Sequence, residues 1–362
     1  SVATIRLAGT YSATGQAQLA VKTAEQAIVQ ATQESSISTN LLTRAAAIAI
    51  KSEQFALALK WAEQATALAP DQPALQHIKA EALAYNGQYE PAIQIYSALL
   101  DQDPDNSAIL LDRMLAYINT TQPTLAQHDA THLLSLDPDN ETYRYYAAML
   151  KGQTPATQPA SVVTHLFDHS AADFDAHLQG QLQYTLPQDV AQWLLNWYPD
   201  KKFDLLDLGC GTGLLGASLG LINGVIVGVD LSSNMITKAA QRGVYAQFNQ
   251  ANVLAALQHT PENHYDVIAA LDVLVYVGDL STVIPNAHRI LTAGGRFIFS
   301  CEAAPSDIKT FALQSTQRFV HQQAHVLSLL KKAGFKKPEI EERTLRLEAG
   351  QPVQAFVVTA QK

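Results

Sequence analysis

Three prolines, Pro70, Pro104 and Pro138, lie 34 residues apart, and the alanines Ala24, Ala58, Ala92 and Ala126 keep the same interval. A strict period restricts a fold more than composition does, because each repeat must bury its apolar face against the next copy. The text around the prolines recurs as "ALAPDQP", "LDQDPDNS" and "LSLDPDNE", and small or apolar residues recur upstream at Ala46, Ala80 and Met114. Proline lacks an N–H and clashes with the preceding turn, so it ends the second helix of each unit. The small alanines let paired helices approach closely. The period predicts three helix-turn-helix units over 39–140, an irregular one over about 5–38 that lacks the proline, and a closing helix starting in "ETYRYYAAML".

In length and in these positions the segment resembles the tetratricopeptide repeat. The resemblance implies an all-α solenoid over 1–150 whose curved surface grips a protein or peptide partner. A purely structural or oligomerising arm is the other use of such an array. Residues 1–150 hold eight Lys/Arg against fifteen Asp/Glu, and the whole chain of 362 residues carries −9. Phosphate backbones favour basic surfaces, so a nucleic-acid partner is not expected. Lys331-Lys332 and Lys336-Lys337 read as a solvated helix end and loop. No apolar run reaches bilayer length and no basic-then-apolar leader opens the chain, so a cytoplasmic protein without membrane contact is expected. Cys210 and Cys301 are too isolated for a disulfide framework or a metal cluster.

"KGQTPATQPAS", 151–161, carries Gly, Pro and Thr without apolar period and reads as a linker. Beyond it, 162–362 forms the second domain. From about 200 strand and helix alternate: "FDLLDLG", "LLGASLGL", "GVIVGVD", "SSNMITKAAQRG", "VYAQFN", "YDVIAALDVL", then a helix with a glycine stop in "LSTVIPNAHRILTAGG", then "RFIFSCE". Alternation of this kind predicts a doubly wound α/β sheet. After the helix "HVLSLLKKAGF", "EIEERTLRLEAGQPVQAFVVTAQK" predicts two strands whose connection at Gly350-Gln351-Pro352 is too short for a parallel crossover. That last pair is therefore antiparallel.

The stretch "LLDLGCGTGLLG" bends sharply after its strand. No Gly-Lys-Ser/Thr follows, which excludes a P-loop. A dinucleotide fingerprint is read literally from Gly211 to Gly216, and Asp230 lies at the distance of a ribose-binding acid. Register argues otherwise. The strand runs from Phe203 to Leu208, the turn begins at Gly209, and Leu214 stands where the third dinucleotide glycine belongs. Asp207, just before the turn, would repel a pyrophosphate and suits a ligand with an ammonium group.

With "VGVDLS", "YDVIAALDVLVYV" and "LTAGGRFIFS", the stretch resembles class I S-adenosylmethionine-dependent methyltransferases, with a Rossmann-like sheet of seven strands and an antiparallel last strand. "HLFDHSAADFDAHLQGQLQYTLP", "SSNMITKAAQRGVY" and "RLEAGQPVQAFVV" narrow the resemblance to bacterial methyltransferases that carry N-terminal tetratricopeptide repeats. The resemblance implies S-adenosylmethionine as cofactor. Gly209, Cys210, Gly211 and Gly213 would form the bend around its methionine part and ribose, with Asp207 near the ammonium. Asp230 would hold the ribose hydroxyls, and Leu231 and Met235 would pack on adenine. Asn252 and Val253 stand where the family places the group that meets the adenine amine, with Asn252 in place of the usual acid. Asp272 would lie near the sulfur. Phe174, His177 and Tyr184 match the segment that folds over the cofactor.

Candidates for acid–base or substrate-positioning work are Asp272, Tyr276, Glu302, His321, His177 and Tyr184. His321 and His325 form a His-x-x-x-His pair without an adjacent carboxylate, so no metal site is expected. The segment "LDVLVYV" lacks the Asn-Pro-Pro-Tyr motif, which argues against adenine-N6 or glutamine-amide methylation. Three functions stay open: methylation of a protein docked on the arm; methylation of a small carboxylic or hydroxylated acceptor, with the arm used for oligomerisation; and a cofactor-binding assembly scaffold without turnover.

Overall fold

The computed structural model describes residues 1–13, 16–168, 183–348 and 350–362, with the backbone alone over 165–168. Phe174 and His177 lie outside the described residues. The chain divides into two compact units, Ser1–Gln153 and Thr154–Lys362.

The first unit is helical: α1 (Val2–Ala13), α2 (Ala17–Gln33), α3 (Thr39–Lys51), α4 (Phe55–Leu68), α5 (Pro73–Tyr85), α6 (Tyr89–Leu100), α7 (Ser107–Asn119), α8 (Pro123–Leu136) and α9 (Glu141–Leu150). Helices α3, α5, α7 and α9 begin at 39, 73, 107 and 141, and α4, α6 and α8 at 55, 89 and 123, so the sequence period is also the period of the helices. Each periodic proline falls just after a second helix, and Ala24, Ala58, Ala92 and Ala126 are fully buried where helices meet. Side chains cap the starts: Ser38 accepts from Leu41 N, Asn106 from Ile109 N, and Asn140 from Thr142 N and Tyr143 N. The buried Asp129 is neutralised by a two-pronged pair with Arg113, at 2.8 and 2.7 Å, and Arg113 also donates to Ser97 Oγ at 3.1 Å.

The second unit opens with α10 (Ala160–Asp168) and α11 (Leu186–Trp197). There follow β1 (Leu205–Leu208), α12 (Leu214–Leu219), β2 (Ile226–Asp230), α13 (Ser233–Ala240), β3 (Gln247–Gln250), α14 (Val253–His259), β4 (Tyr265–Ala270), α15 (Val283–Ile290) and β5 (Leu291–Ala303). The chain closes with β6 (Phe311–Leu313), β7 (Phe319–His321), α16 (Gln323–Ala333), β8 (Lys336–Glu348) and β9 (Gln351–Gln361). Parallel strands run in the order β3-β2-β1-β4-β5. β9 pairs antiparallel with β5 from Arg296↔Gln361 to Glu302↔Ala355, and β8 pairs antiparallel with β9 outside it. Strand alternation sorts the core onto two faces. Leu206, Leu208, Ile268, Phe297 and Phe299 belong to one layer, and Leu205, Val267, Ala269 and Ile298 to the other, beneath Leu186, Val190 and Leu194 of α11. Chain order reverses between β1 and β4, which opens a crevice at the carboxyl ends of the strands.

Three local expectations are corrected. The expected glycine stop of α15 does not form: the helix ends at Ile290 and β5 starts at Leu291, pairing with Tyr265 before a register shift passes the two glycines. A short hairpin, β6–β7, adds to the end of β5 through Glu302↔Val320 and Ala303↔His321, in a stretch read only for its histidines. The stretch read as a linker is tied into the second unit from residue 156: Ala156 O accepts from Gly278 N (2.9 Å) and Asp279 N (2.8 Å), and Gln158 N donates to Tyr276 O at 3.1 Å.

Candidate active site

After β1 the chain turns through Gly209, Cys210, Gly211, Thr212 and Gly213 into α12. Gly209, Gly211 and Gly213 have φ of 66, 51 and 80°, a region that side chains disfavour. Protein packing also demands two of them. A Cβ at Gly209 would lie 2.4 Å from Val273 Cγ2, and one at Gly213 would lie 3.0 Å from Tyr245 Cε2 and 3.1 Å from Ala239 Cβ. Close approach at these two positions is thus already made by Val273, Tyr245 and Ala239, not reserved for a ligand. The leftover glycine of the literal fingerprint has the same explanation: a Cβ on Gly216 would stand 2.4 Å from the Tyr245 ring.

Tyr245 precedes β3 and escaped the sequence reading. Its hydroxyl donates to Asp207 Oδ2 at 2.7 Å and accepts from Gly216 N at 3.2 Å. Asp207 is buried at the end of β1, only 3% exposed. Burial pushes its carboxyl up to about 7; the Tyr245 hydrogen bond pulls it down, and the negative Asp230 adds to the rise.

Asp230 ends β2. Its Oδ2 accepts from Gly211 N and its Oδ1 from Ser232 N, both at 2.9 Å. This carboxylate therefore fixes the glycine bend. Leu231, next in the chain, packs with Val163, Val275 and Tyr276. Met235 is fully buried under the Ser232 cap and belongs to the core. Asn252 Oδ1 accepts from Ala255 N at 2.7 Å and caps α14, so one acceptor site of that amide is already used. Val253 is buried in the core beside it, and burial drives the Cys210 thiol above its ordinary range.

Across the crevice, beyond β4, Asp272 holds a φ of 53°, unusual for a residue with a side chain. Its N–H donates to Ser300 Oγ at 2.7 Å. Its carboxylate accepts two hydrogen bonds from one nitrogen of Arg346, at 2.7 and 2.8 Å, and the other terminal nitrogen of Arg346 donates to Glu302 Oε1 at 2.5 Å. Arg318 pairs with Glu348 at the edge of the cluster. Burial raises the Asp272 carboxyl to about 6 against the pull of Arg346. For Arg346, burial disfavours the cation, but Asp272 and Glu302 outweigh it and its pKa rises. Asp272 and Glu302, expected as candidate acid–base groups, are thus the two arms of a buried ion-pair network. Arg346 was missed because nothing in a strand of alternating charges marks which arginine turns inward.

His321 is corrected too. Its Nε2–H donates to Val277 O (2.9 Å) and Gly278 O (3.1 Å), its Nδ1 is buried without a partner among the described residues, and burial lowers its pKa to about 4. It is a neutral, enclosed ring that ties β7 to the loop after β4. Tyr184 is buried within electrostatic range of both Asp272 and Asp207, and burial raises its hydroxyl well above the ordinary value. The structure therefore brings together Asp207, Asp230, Leu231, the glycine bend, Tyr184 and Asp272. Among the described residues no helix is long and apolar enough to cross a membrane.

Residues 206–297 match the family model described as "Methyltransferase domain". The biotin biosynthesis bifunctional protein BioHC of Saccharophagus degradans is 28% identical over 190 residues, 51% of this chain and 32% of that protein. A ubiquinone biosynthesis O-methyltransferase of Pseudomonas putida is 31% identical over 121 residues, 31% of this chain and 51% of that one. The chain thus spans about a third to a half of the length of these curated relatives. Magnesium protoporphyrin IX methyltransferase from Synechocystis, solved with its cofactor product bound, covers 56% of this chain and 99% of its own at 18% identity and a TM-score of 0.45. The second unit carries a methyltransferase domain, and S-adenosylmethionine is the cofactor expected of it.

The site fits that cofactor on an observation of its own. Among the described residues, the groups that shift Asp207 include no cation, only the Tyr245 phenol and the Asp230 carboxylate. A buried carboxylate held up to about 7 in this way gains most from a ligand that brings an ammonium group.

Proposed function

We propose that the protein is an S-adenosylmethionine-dependent methyltransferase whose helical arm is a tetratricopeptide array that docks a protein, either the methyl acceptor or its carrier. The observation that carries the first part is the pair of acids at the ends of β1 and β2, joined through the glycine bend: Asp230 accepts from Gly211 N, and among the described residues no cation shifts Asp207 behind it. When bound, the cofactor supplies an electrophilic methyl group on a sulfonium. Asp207 would hold the ammonium, and Asp230 the ribose hydroxyls. Tyr184 and Asp272 flank the place where the acceptor must enter, and the Arg346 pair keeps the Asp272 carboxylate oriented. Alignment and water exclusion by these residues can supply much of the rate.

The docking role is supported by the 34-residue helical period and by the acid excess of the first unit, which suits a basic partner. A second reading, a small acceptor with the arm serving oligomerisation, is favoured by the relatives' names, a ubiquinone biosynthesis O-methyltransferase among them. Incubating the protein and lysate with methyl-labelled cofactor, then separating protein from small molecules, tests both. Label in protein is the expected result. Label confined to small molecules rejects docking of a protein acceptor, and no label in either fraction despite cofactor binding rejects the enzyme.

A further inference from the structure

Gly213 of the bend and Gly216 of α12 are seats for the Tyr245 ring. The ring lies tilted at 32° against Phe248, with centroids 4.9 Å apart, and Phe248 in turn leaves no room for a Cβ on Gly228 of β2. The ring is therefore clamped from three elements, and its hydroxyl has one direction to point: between Gly216 N and Asp207 Oδ2.

We propose that Tyr245 is the positioning residue for Asp207: its hydroxyl keeps the buried carboxylate ionised and aimed at the cofactor's ammonium. The assignment rests on the S-adenosylmethionine reading above. Among the described residues four groups face Asp207: Asp230 from β2, Cys210 from the bend, Tyr184 ahead of α11, and Tyr245 ahead of β3. Asp230 and burial favour the protonated acid, and Tyr245 supplies the hydrogen bond that opposes them. A hydrogen bond to the charged form of a carboxylate favours that form, and its loss raises the pKa by about one unit or more. Tyr245 thus sets the pH above which the site accepts an ammonium-bearing ligand.

The test is Tyr245→Phe, which removes the hydroxyl and leaves the ring on its glycines. Binding of S-adenosylhomocysteine to the full chain is measured by calorimetry from pH 6 to 8.5, beside 5′-methylthioadenosine, which lacks the amino-acid part. The ratio of variant to parent affinity cancels the ligand's own titration. The expected ratio shows ~10-fold weaker binding of S-adenosylhomocysteine at pH 6–7, shrinking towards equality at pH 8.5, with 5′-methylthioadenosine unaffected throughout. Equal affinities at pH 6–7, or a loss that is the same at every pH and for both ligands, overturn the assignment. Carbon-13 carboxyl resonances of the ligand-free protein give an independent arm, with Asp207 expected to titrate higher in the variant and an unmoved titration refuting the coupling. Should the parent bind neither ligand at any pH, the functional reading falls, and the resonance arm still decides the role of Tyr245.

Discussion

Replacing Asp207 by asparagine separates what the fold tolerates from what the site needs. The carboxyl rises from 3.8 in the unfolded chain to about 7 in the fold, because burial at 3% exposure disfavours the anion. For an acid raised on folding, the native state holds the proton over the window in which the unfolded state has lost it. Stability from this group therefore falls as pH rises from about 4 to about 7 and is flat above. Some three units at ~1.4 kcal/mol each put the destabilisation at roughly 4 kcal/mol by pH 8. Asparagine removes that slope and still accepts from the Tyr245 hydroxyl, but its amide N–H groups need acceptors, which offsets about 1–3 kcal/mol. The ligand-free Asp207→Asn protein is thus expected to be about 1–3 kcal/mol more stable than the parent at pH 8 and no more stable at pH 4, while its affinity for S-adenosylhomocysteine drops by about 2–3 kcal/mol. Urea unfolding followed by tryptophan fluorescence reads this cleanly in a Trp61→Phe background, because Trp193 and Trp197 both lie in α11 of the second unit. The contribution of Asp272, raised to about 6 with the same sign, cancels in the comparison. Parallel stability-versus-pH curves for parent and variant would refute the idea of a carboxylate held at a folding cost for its ligand.

Arg346→Met should destabilise the second unit by about 3–5 kcal/mol, since it strands two buried carboxylates, and adding Asp272→Asn with Glu302→Gln should recover much of that loss in the same unfolding assay. Asp230→Ala should weaken S-adenosylhomocysteine binding by a few kcal/mol and also raise hydrogen exchange at the Gly211 amide, because the carboxylate serves both; an unchanged dissociation constant contradicts the placement. His321, lowered to about 4, contributes stability that is whole above pH 6.5 and fades as pH falls to about 4, up to roughly 3 kcal/mol. A His321→Gln variant should lack that acid limb in its melting curve.

Much of the site was legible because it obeys local rules. An acid placed before a glycine bend and another at the end of the next strand are fixed by chain connectivity, so Asp207 and Asp230 could be named before any coordinates. Tyr245 could have been found from one signal, the glycine at position 216 in α12 that no ligand register required. Arg346 had no such mark: its partners lie 74 and 44 residues away in sequence, and only strand pairing brings them together.

Periodicity and connectivity together determined the 34-residue helical period, the order of strand and helix, and the reversed final pair, because these follow from repeats, turn lengths and side-chain alternation within a few residues. Which carboxylates carry free charge and which are cancelled was decided only by tertiary structure. Among the described residues no cation shifts Asp207, while Asp272 and Glu302 share one, and that difference depends on which distant side chains pack into the same dry space.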